Sequence, residues 1–177
     1  MVYASREAEH EAVLTVARQI CAAIRTAPKT RGLDYLESCI LTGEDLERLA
    51  DKMDELSNAR DLPSFRRDAA NLRVSQALVL VGVKNVRRGL GAFCGYCGMD
   101  GCDACAQAGA ECAFGPMDLG IALGSAVALA SDAHIDNRLM YSAGRAAMEL
   151  GILPPEYGCC VAIPLSVSGK SPYFDRK

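Results

Sequence analysis

Five cysteines fall within residues 94–112, in the run CGYCGMDGCDACAQAGAEC, and no other stretch restricts the fold as much. Thiols this close in sequence meet only if the chain doubles back sharply, so the segment reads as irregular structure. Gly95, Gly98 and Gly101 supply the positive φ that such turns need. They also let backbone N–H groups face sulfur and offset its negative charge. Residues 102–108 suit a short helix that puts Cys102 and Cys105 on one face, and Cys112 returns from beyond it. Several thiolates converging on a small volume are what an iron–sulfur cluster takes. Two other readings compete. Structural zinc takes paired C-x2-C ligands, but with a longer spacer than the four residues between Cys97 and Cys102. Disulfides or free thiols are the third.

Nine cysteines in 177 residues is an odd count, which fits a closed disulfide framework poorly. The N-terminus runs at once into charged residues, SREAE at 5–9, so no secretory signal is read and a cytoplasmic, reducing location is expected. Cys21 and Cys39 lie on apolar patterns and read as core. Cys159 and Cys160 are adjacent on an expected strand, point to opposite faces, and also read as core thiols.

The length suits one domain, 1–177, with residues 91–114 as an insertion. A net charge of −3 leaves no broad basic surface, and with no Trp, six Tyr and four Phe, platforms for single-stranded nucleic acid are scarce. No nucleic-acid partner is expected. The longest apolar run, 119–130, is shorter than a bilayer span and flanked by Asp118 and Asp132, so a buried helix and no membrane role are expected.

Along the chain, Val13, Val16, Ala17, Ile20 and Ile24 recur at helical spacing, with Ser5 as the expected cap and Pro28 as the stop. Residues 35–41 read as a strand. Thr42 opens a second helix with an acidic residue three positions on, and Leu46, Leu49, Met53 and Leu56 line its face. Ser64 is the expected cap of a short helix to Leu72. Ala77–Val83 is continuously apolar and rich in valine, the mark of a central strand covered on both faces. Residues 117–133 are apolar nearly all round and are expected to form the most buried helix, with Gly120 and Gly124 open to close approach by another backbone. A last helix is expected over 137–150 with Gly151 as its stop, then a strand over 159–163 and an irregular tail. Alternating strands and helices predict a three-layer α/β (α+β) domain.

The run C-G-Y-C-G-M-D-G-C from Cys94 resembles the C-G-x-C-G-x-x-x-C stretch of a known type of 4Fe–4S domain. That resemblance implies Cys94, Cys97, Cys102 and Cys112 as ligands, with Cys105 a spare or alternative. The whole chain is also similar to an uncharacterised family of ferredoxin domain-containing proteins. The likeness rests on RTAPK at 25–29, the CGYCG run, DLGIALGSA at 118–126, DNRLM at 136–140, IPLS at 163–166 and the GK and YFDR pieces of 169–176. A third resemblance is to the nitroreductases, which are dimeric FMN enzymes. Ala27-Pro28 before a strand, the helix from Asp118, LGILP at 150–154 and the strand from Cys160 carry it. It implies a nitroreductase-like fold, a homodimer and a possible FMN. The nitroreductase Asn and Gln fall here on Gly32 and Asp34, and the Arg-Arg-Ser phosphate stretch has no match. For an FMN phosphate only Arg25, Lys29 and Arg31 offer themselves.

Other motifs carry less. Ser168-Gly169-Lys170-Ser171 lacks the first glycine of a P-loop, where Pro164 stands. His10 and His134 have no plausible nucleophile nearby. Asp132, Asp136 and Asp175 are too scattered for acid–base work, and Arg66-Arg67 and Arg87-Arg88 read as solvated charge. The expectation is an iron–sulfur redox protein, an electron-transfer oxidoreductase with FMN as its candidate second cofactor, acting on a redox partner protein or a small-molecule oxidant. The alternatives are a non-enzymatic electron carrier or redox sensor, and a structural zinc protein.

Overall fold

The structure, a computed structural model, describes residues 2–174. Asp175 and Arg176 of the YFDR piece lie outside the described residues. The elements run α1 (Ser5–Thr26), a 3-10 turn (Thr30–Gly32), β1 (Leu36–Leu41), α2 (Glu44–Arg60), α3 (Pro63–Arg73), β2 (Ala77–Val83), α4 (Gly101–Gln107), α5 (Phe114–Asp132), β3 (Asp136–Asn137), α6 (Tyr141–Glu149) and β4 (Cys159–Ser166). The strands form one antiparallel sheet in the order β1-β2-β4-β3.

Strand β2 shows why the sheet sits in the middle. All seven of its residues are buried. Leu78 and Leu80 join a core with α2, α3 and α6, whereas Ala77, Val79, Val81 and Val83 join a second core with α1 and α5. Side chains alternate faces along a strand, so a sheet covered by helices on both sides needs an unbroken apolar run. Each such buried Leu or Val contributes about 1.5–3 kcal/mol. Strand β4 repeats the pattern: Cys160 and Ala162 enter the first core, Ile163 and Leu165 the second, and Cys159 packs against the second. Cys39 and Cys21 pack, half-buried, against opposite faces. The result is a three-layer α+β architecture.

Several local expectations change. Ser5 is the first helical residue after Ala4, and its hydroxyl donates to Glu9 rather than capping. Gly43, with φ +51°, stands where Thr42 was expected to cap α2, and Pro63 opens α3 one residue before Ser64. The expected helix over 137–150 is divided. Met140 exchanges both backbone hydrogen bonds with Ala162, and Arg138 reaches the buried Asp68 at 3.4 Å, so residues 136–140 are drawn along β4 and the helix begins at Tyr141. Gly151 follows that helix at φ +65°, as expected. Residues 164–166, expected to be irregular, extend β4 because they pair with Ala77, Leu78 and Asp136.

Helix α6 lies almost on the backbone of β4. A Cβ on Gly144 would sit 2.1 Å from the Cys160 carbonyl oxygen, so only glycine fits. Helix α5 is not the most buried helix. It is long and apolar enough to cross a bilayer by length and composition, yet here Leu119, Ala122, Leu123, Ala126 and Ala130 pack inward. Met117 and Ile121 are exposed on it, and Cβ atoms at Gly120 and Gly124 would meet nothing.

Candidate metal centre

The cysteine segment spans residues 84–113, between the sheet's central strand and α5. It carries little regular structure beyond α4, which places Cys102 and Cys105 one turn apart as expected. Gly95, Gly98 and Gly101 all have positive φ. At Gly101 the need is twofold: φ is +81°, and an added Cβ would lie 2.7 Å from Ala92 Cα. The amides of Cys94 and Cys102 both donate to the Gly91 carbonyl, at 3.4 and 3.3 Å, which folds the start of the segment back onto α4.

Within this fold Cys105 is the most enclosed thiol of the five, buried at 1% exposure, and Cys112 is buried beside the start of α5. Cys94, Cys97 and Cys102 are half-buried. The Cys105 thiol donates to the Ala110 carbonyl at 3.3 Å. Its pKa is raised, first by burial, then by a hydrogen-bonded contact with Cys97, then by the nearby charges of Cys97, Cys112 and Cys102. Cys97, Cys102 and Cys112 are thus near enough to Cys105 to influence its charge. Among the described residues no three His, Cys, Asp or Glu side chains are placed to hold a metal ion. Sequence reasoning ranked Cys105 below Cys112. The signal for it was its place one turn after Cys102 on the inward face of α4. A cleft of about 360 Å³ lined by Arg87, Gly89, Gly91 and Cys102 opens this side of the segment, and Arg87 donates to the Cys102 carbonyl at 3.2 Å.

The three cations expected near a flavin phosphate fall into two places. Arg25 pairs with Asp34 at 2.6 Å and Glu37 at 3.0 Å. Burial raises the Asp34 pKa, but the Arg25 bond and nearby charges outweigh it and bring the carboxyl below its usual value. Lys29 is nearly buried and donates to the carbonyls of Ile24, Arg25 and Ala27 at the end of α1. Arg31 points elsewhere, to the carbonyls of Arg88 and Gly89 at 3.0 and 2.9 Å. All three are engaged by protein acceptors.

Arg88, expected on a solvated face, is instead buried at 1% exposure. Its Nε donates to Asp118 of α5 at 2.9 Å, and its guanidinium lies 4.9 Å from the centre of the Tyr35 ring. Asp118, equally buried, also accepts from the Thr30 amide and hydroxyl at 2.9 and 2.8 Å. Outside this region, Phe65 and Tyr141 line a hollow of about 170 Å³ in the α2–α3–α6 layer, away from the cysteine segment.

Comparison with known proteins places these features. An uncharacterized protein of Archaeoglobus fulgidus is 40% identical over 183 residues, spanning 99% of this chain and 98% of the relative. Residues 108–176, which include Cys112, α5 and β4, match the model of a family described as uncharacterized protein containing a ferredoxin domain. Solved structures share the fold at low identity. A nitroreductase with bound FMN from Desulfitobacterium hafniense aligns at TM-score 0.57 and 15% identity, over 92% of this chain and 82% of that one. The nitroreductase CinD from Lactococcus lactis, in complex with nicotinic acid, aligns at 0.60 and 13%, over 98% and 86%. A nitroreductase family protein from Clostridium novyi aligns at 0.60 and 14%, over 86% and 73%. The sheet and its two helical layers therefore have a nitroreductase-like fold, and by its end-to-end likeness to the archaeal relative and its matched C-terminal part the chain belongs to the family of uncharacterized proteins containing a ferredoxin domain.

Proposed function

We propose that this protein transfers electrons and holds a 4Fe–4S cluster in the segment between β2 and α5. The carrying observation is the set of five cysteines in the glycine-turned segment between β2 and α5, with Cys105 buried on α4 and Cys112 buried beside the start of α5. Thiols gathered this closely resist ionising together, and a cationic iron centre relieves that cost. When bound, such a cluster supplies one-electron transfer at a potential set by its surroundings. Cys97, Cys102 and Cys112 serve as ligands in this reading. Of the two remaining thiols, Cys94 and Cys105, the placement of Cys105 supports it as the fourth. The glycine turns fold the segment tightly, and Arg87 offsets negative charge at α4. The electron passes to a redox partner protein or a small-molecule oxidant. Phe93, fully exposed beside Cys94, and the exposed Leu90 and Tyr96 give a partner protein an apolar contact.

The test is anaerobic purification of the full chain, with iron, sulfide, zinc and flavin measured on one sample. About four iron and four sulfide per chain are expected. Cys97→Ser and Cys105→Ser should lower iron sharply, and Cys21→Ser should leave it near wild type. Zinc in place of iron in anaerobic protein makes the centre structural and ends the redox reading. FMN belongs to the proposal as a second cofactor on fold grounds, because a solved protein of this fold holds it. As placed, Arg25, Lys29 and Arg31 would have to give up protein partners to hold its phosphate.

A homodimer is part of the same proposal. The uncovered side of α5, with Met117, Gly120, Ile121 and Gly124, lets a second copy approach closely. Sedimentation should show a dimer that Ile121→Asp converts to monomer.

A further inference from the structure

The two ends of the cysteine segment are tied together by one side chain. Arg88 stands near its start and reaches Asp118 on α5, just past its end. Around this pair the Thr30–Gly32 turn is clamped from both directions. Thr30 donates twice to Asp118, and Arg31 donates to the carbonyls of Arg88 and Gly89. Arg31 itself adopts φ +58°, a left-handed conformation that is strained for a non-glycine residue and persists here under those bonds. A buried ion pair is a poor means of gaining stability alone, since desolvation offsets most of the attraction.

One atom of the pair is unaccounted for. Arg88 Nε is bonded to Asp118 and Nη1 to the Val86 carbonyl, but Nη2 is buried with no acceptor. It lies beside the first turn of α5: a Cβ on Gly115 would be 3.8 Å from it, and the Gly115 amide donates to the carbonyl of Cys112. Helix α5 has neither a side-chain cap nor an acidic residue in its first turn. A buried guanidinium N–H and an uncapped helix start thus adjoin Cys112, which is itself buried. Both favour negative charge.

We infer that Arg88 is a positioning residue for the metal centre, and that its free Nη2 donates to sulfur on the Cys112 side when the metal is bound. This inference rests on the proposed metal site. It assigns the Arg88–Asp118 pair two tasks: closing the segment, and presenting an N–H donor to a thiolate or sulfide of the metal centre.

Four full-length proteins test it: wild type, Arg88→Lys, Arg88→Met combined with Asp118→Leu, and Thr30→Val. Each is loaded anaerobically with iron and sulfide for a midpoint potential. Each metal-free chain is titrated with Cd²⁺, whose thiolate absorbance reports sulfur ligation without any cluster. The paired substitution replaces a buried ion pair with apolar side chains of similar size, a change that folds often accept. It should weaken Cd²⁺ binding on the order of 10- to 100-fold and move the potential negative. Arg88→Lys, which keeps the charge but loses the fork, should move both the same way, and it decides the matter if the paired variant does not fold. Thr30→Val should leave both near wild type. Folded Arg88 variants with unchanged Cd²⁺ affinity and potential overturn the inference, as does a Thr30→Val effect of equal size, which would make the pair a clamp only. A wild-type chain that takes up neither iron nor Cd²⁺ overturns the metal-site reading first, and this inference with it.

Discussion

Cys160 and Cys105 are both buried thiols with raised pKa values, but the surroundings that raise them differ. Cys160 sits on the interior strand β4 among side chains of the α2–α3–α6 core, and its thiol donates to the Tyr157 carbonyl at 3.7 Å. Burial pushes it up to about 11, with small additions from Cys159 and Cys39. For Cys105 burial again leads, but the next causes are three other thiols brought in from α4 and the turns on either side of it. One cysteine fills space as a small hydrophobe. The other belongs to a set whose members are neighbours because the chain was bent to make them so. Burial alone therefore does not separate a core thiol from one proposed as a ligand; the identity of the neighbours distinguishes them.

The two regions should respond differently to the same kind of change. Gly144→Ala, in the sheet region, drives a methyl group into the Cys160 carbonyl. It should cost about 3 kcal/mol or more by urea unfolding, and a loss below about 1 kcal/mol would show that α6 can lift off β4. Gly101→Ala combines positive φ with contact against Ala92. Its cost of about 1–3 kcal/mol should fall mainly on the cysteine segment, as faster amide exchange over 91–112 and weaker Cd²⁺ uptake, with the sheet amides unchanged. Cys160→Ser places a hydroxyl in the core and should cost about 1–3 kcal/mol with metal binding intact. Cys105→Ser should reverse that outcome, with stability within about 1 kcal/mol and metal binding lost. If both serine variants behaved alike, the distinction between the two thiols would collapse.

The pH dependence of stability sharpens the contrast further. The Cys160 pKa lies above the ordinary thiol value of 9.0 in the folded chain, so the unfolded chain loses its proton first. The stability tied to this thiol is complete below about 9 and disappears as pH rises through about 11. Urea midpoints across that window should fall, and Cys160→Ala should flatten the slope. The smallest effect belongs to the segment's rim. Phe93→Ala removes a fully exposed ring and should change stability by no more than about 0.5 kcal/mol, while slowing electron exchange with a partner protein.

Much of the sheet region was legible before any coordinates, for a local reason. The β2 run is readable from its residues because period-two burial on two faces leaves an unbroken apolar string. The α1 and α2 faces were readable because helical spacing places Val13, Ile20, Leu49 and Met53 on one side. The segment over 137–140 was misread because its competitor for backbone hydrogen bonds, Ala162, lies more than twenty residues away. Helix α5 misled in another way. Its hydropathy is nearly uniform around its circumference, so it reported apolar surface on every side without saying which side the protein itself covers.

The candidate site divides along the same line. That the cysteines lie between β2 and α5, in turns built on Gly95, Gly98 and Gly101, followed from sequence alone, because spacing and glycine content are properties of one contiguous stretch. Which thiol is most enclosed was decided by the tertiary fold, since α4 had to be set against the turns before Cys105 was buried. Arg87 and Arg88 show the same limit most sharply. Side by side they read as one solvated charge pair, yet Arg88 alone is buried, on an aspartate thirty residues further along the chain. A charge is buried only where a partner offsets its lost hydration, and that partner is set by folding, not by neighbouring residues.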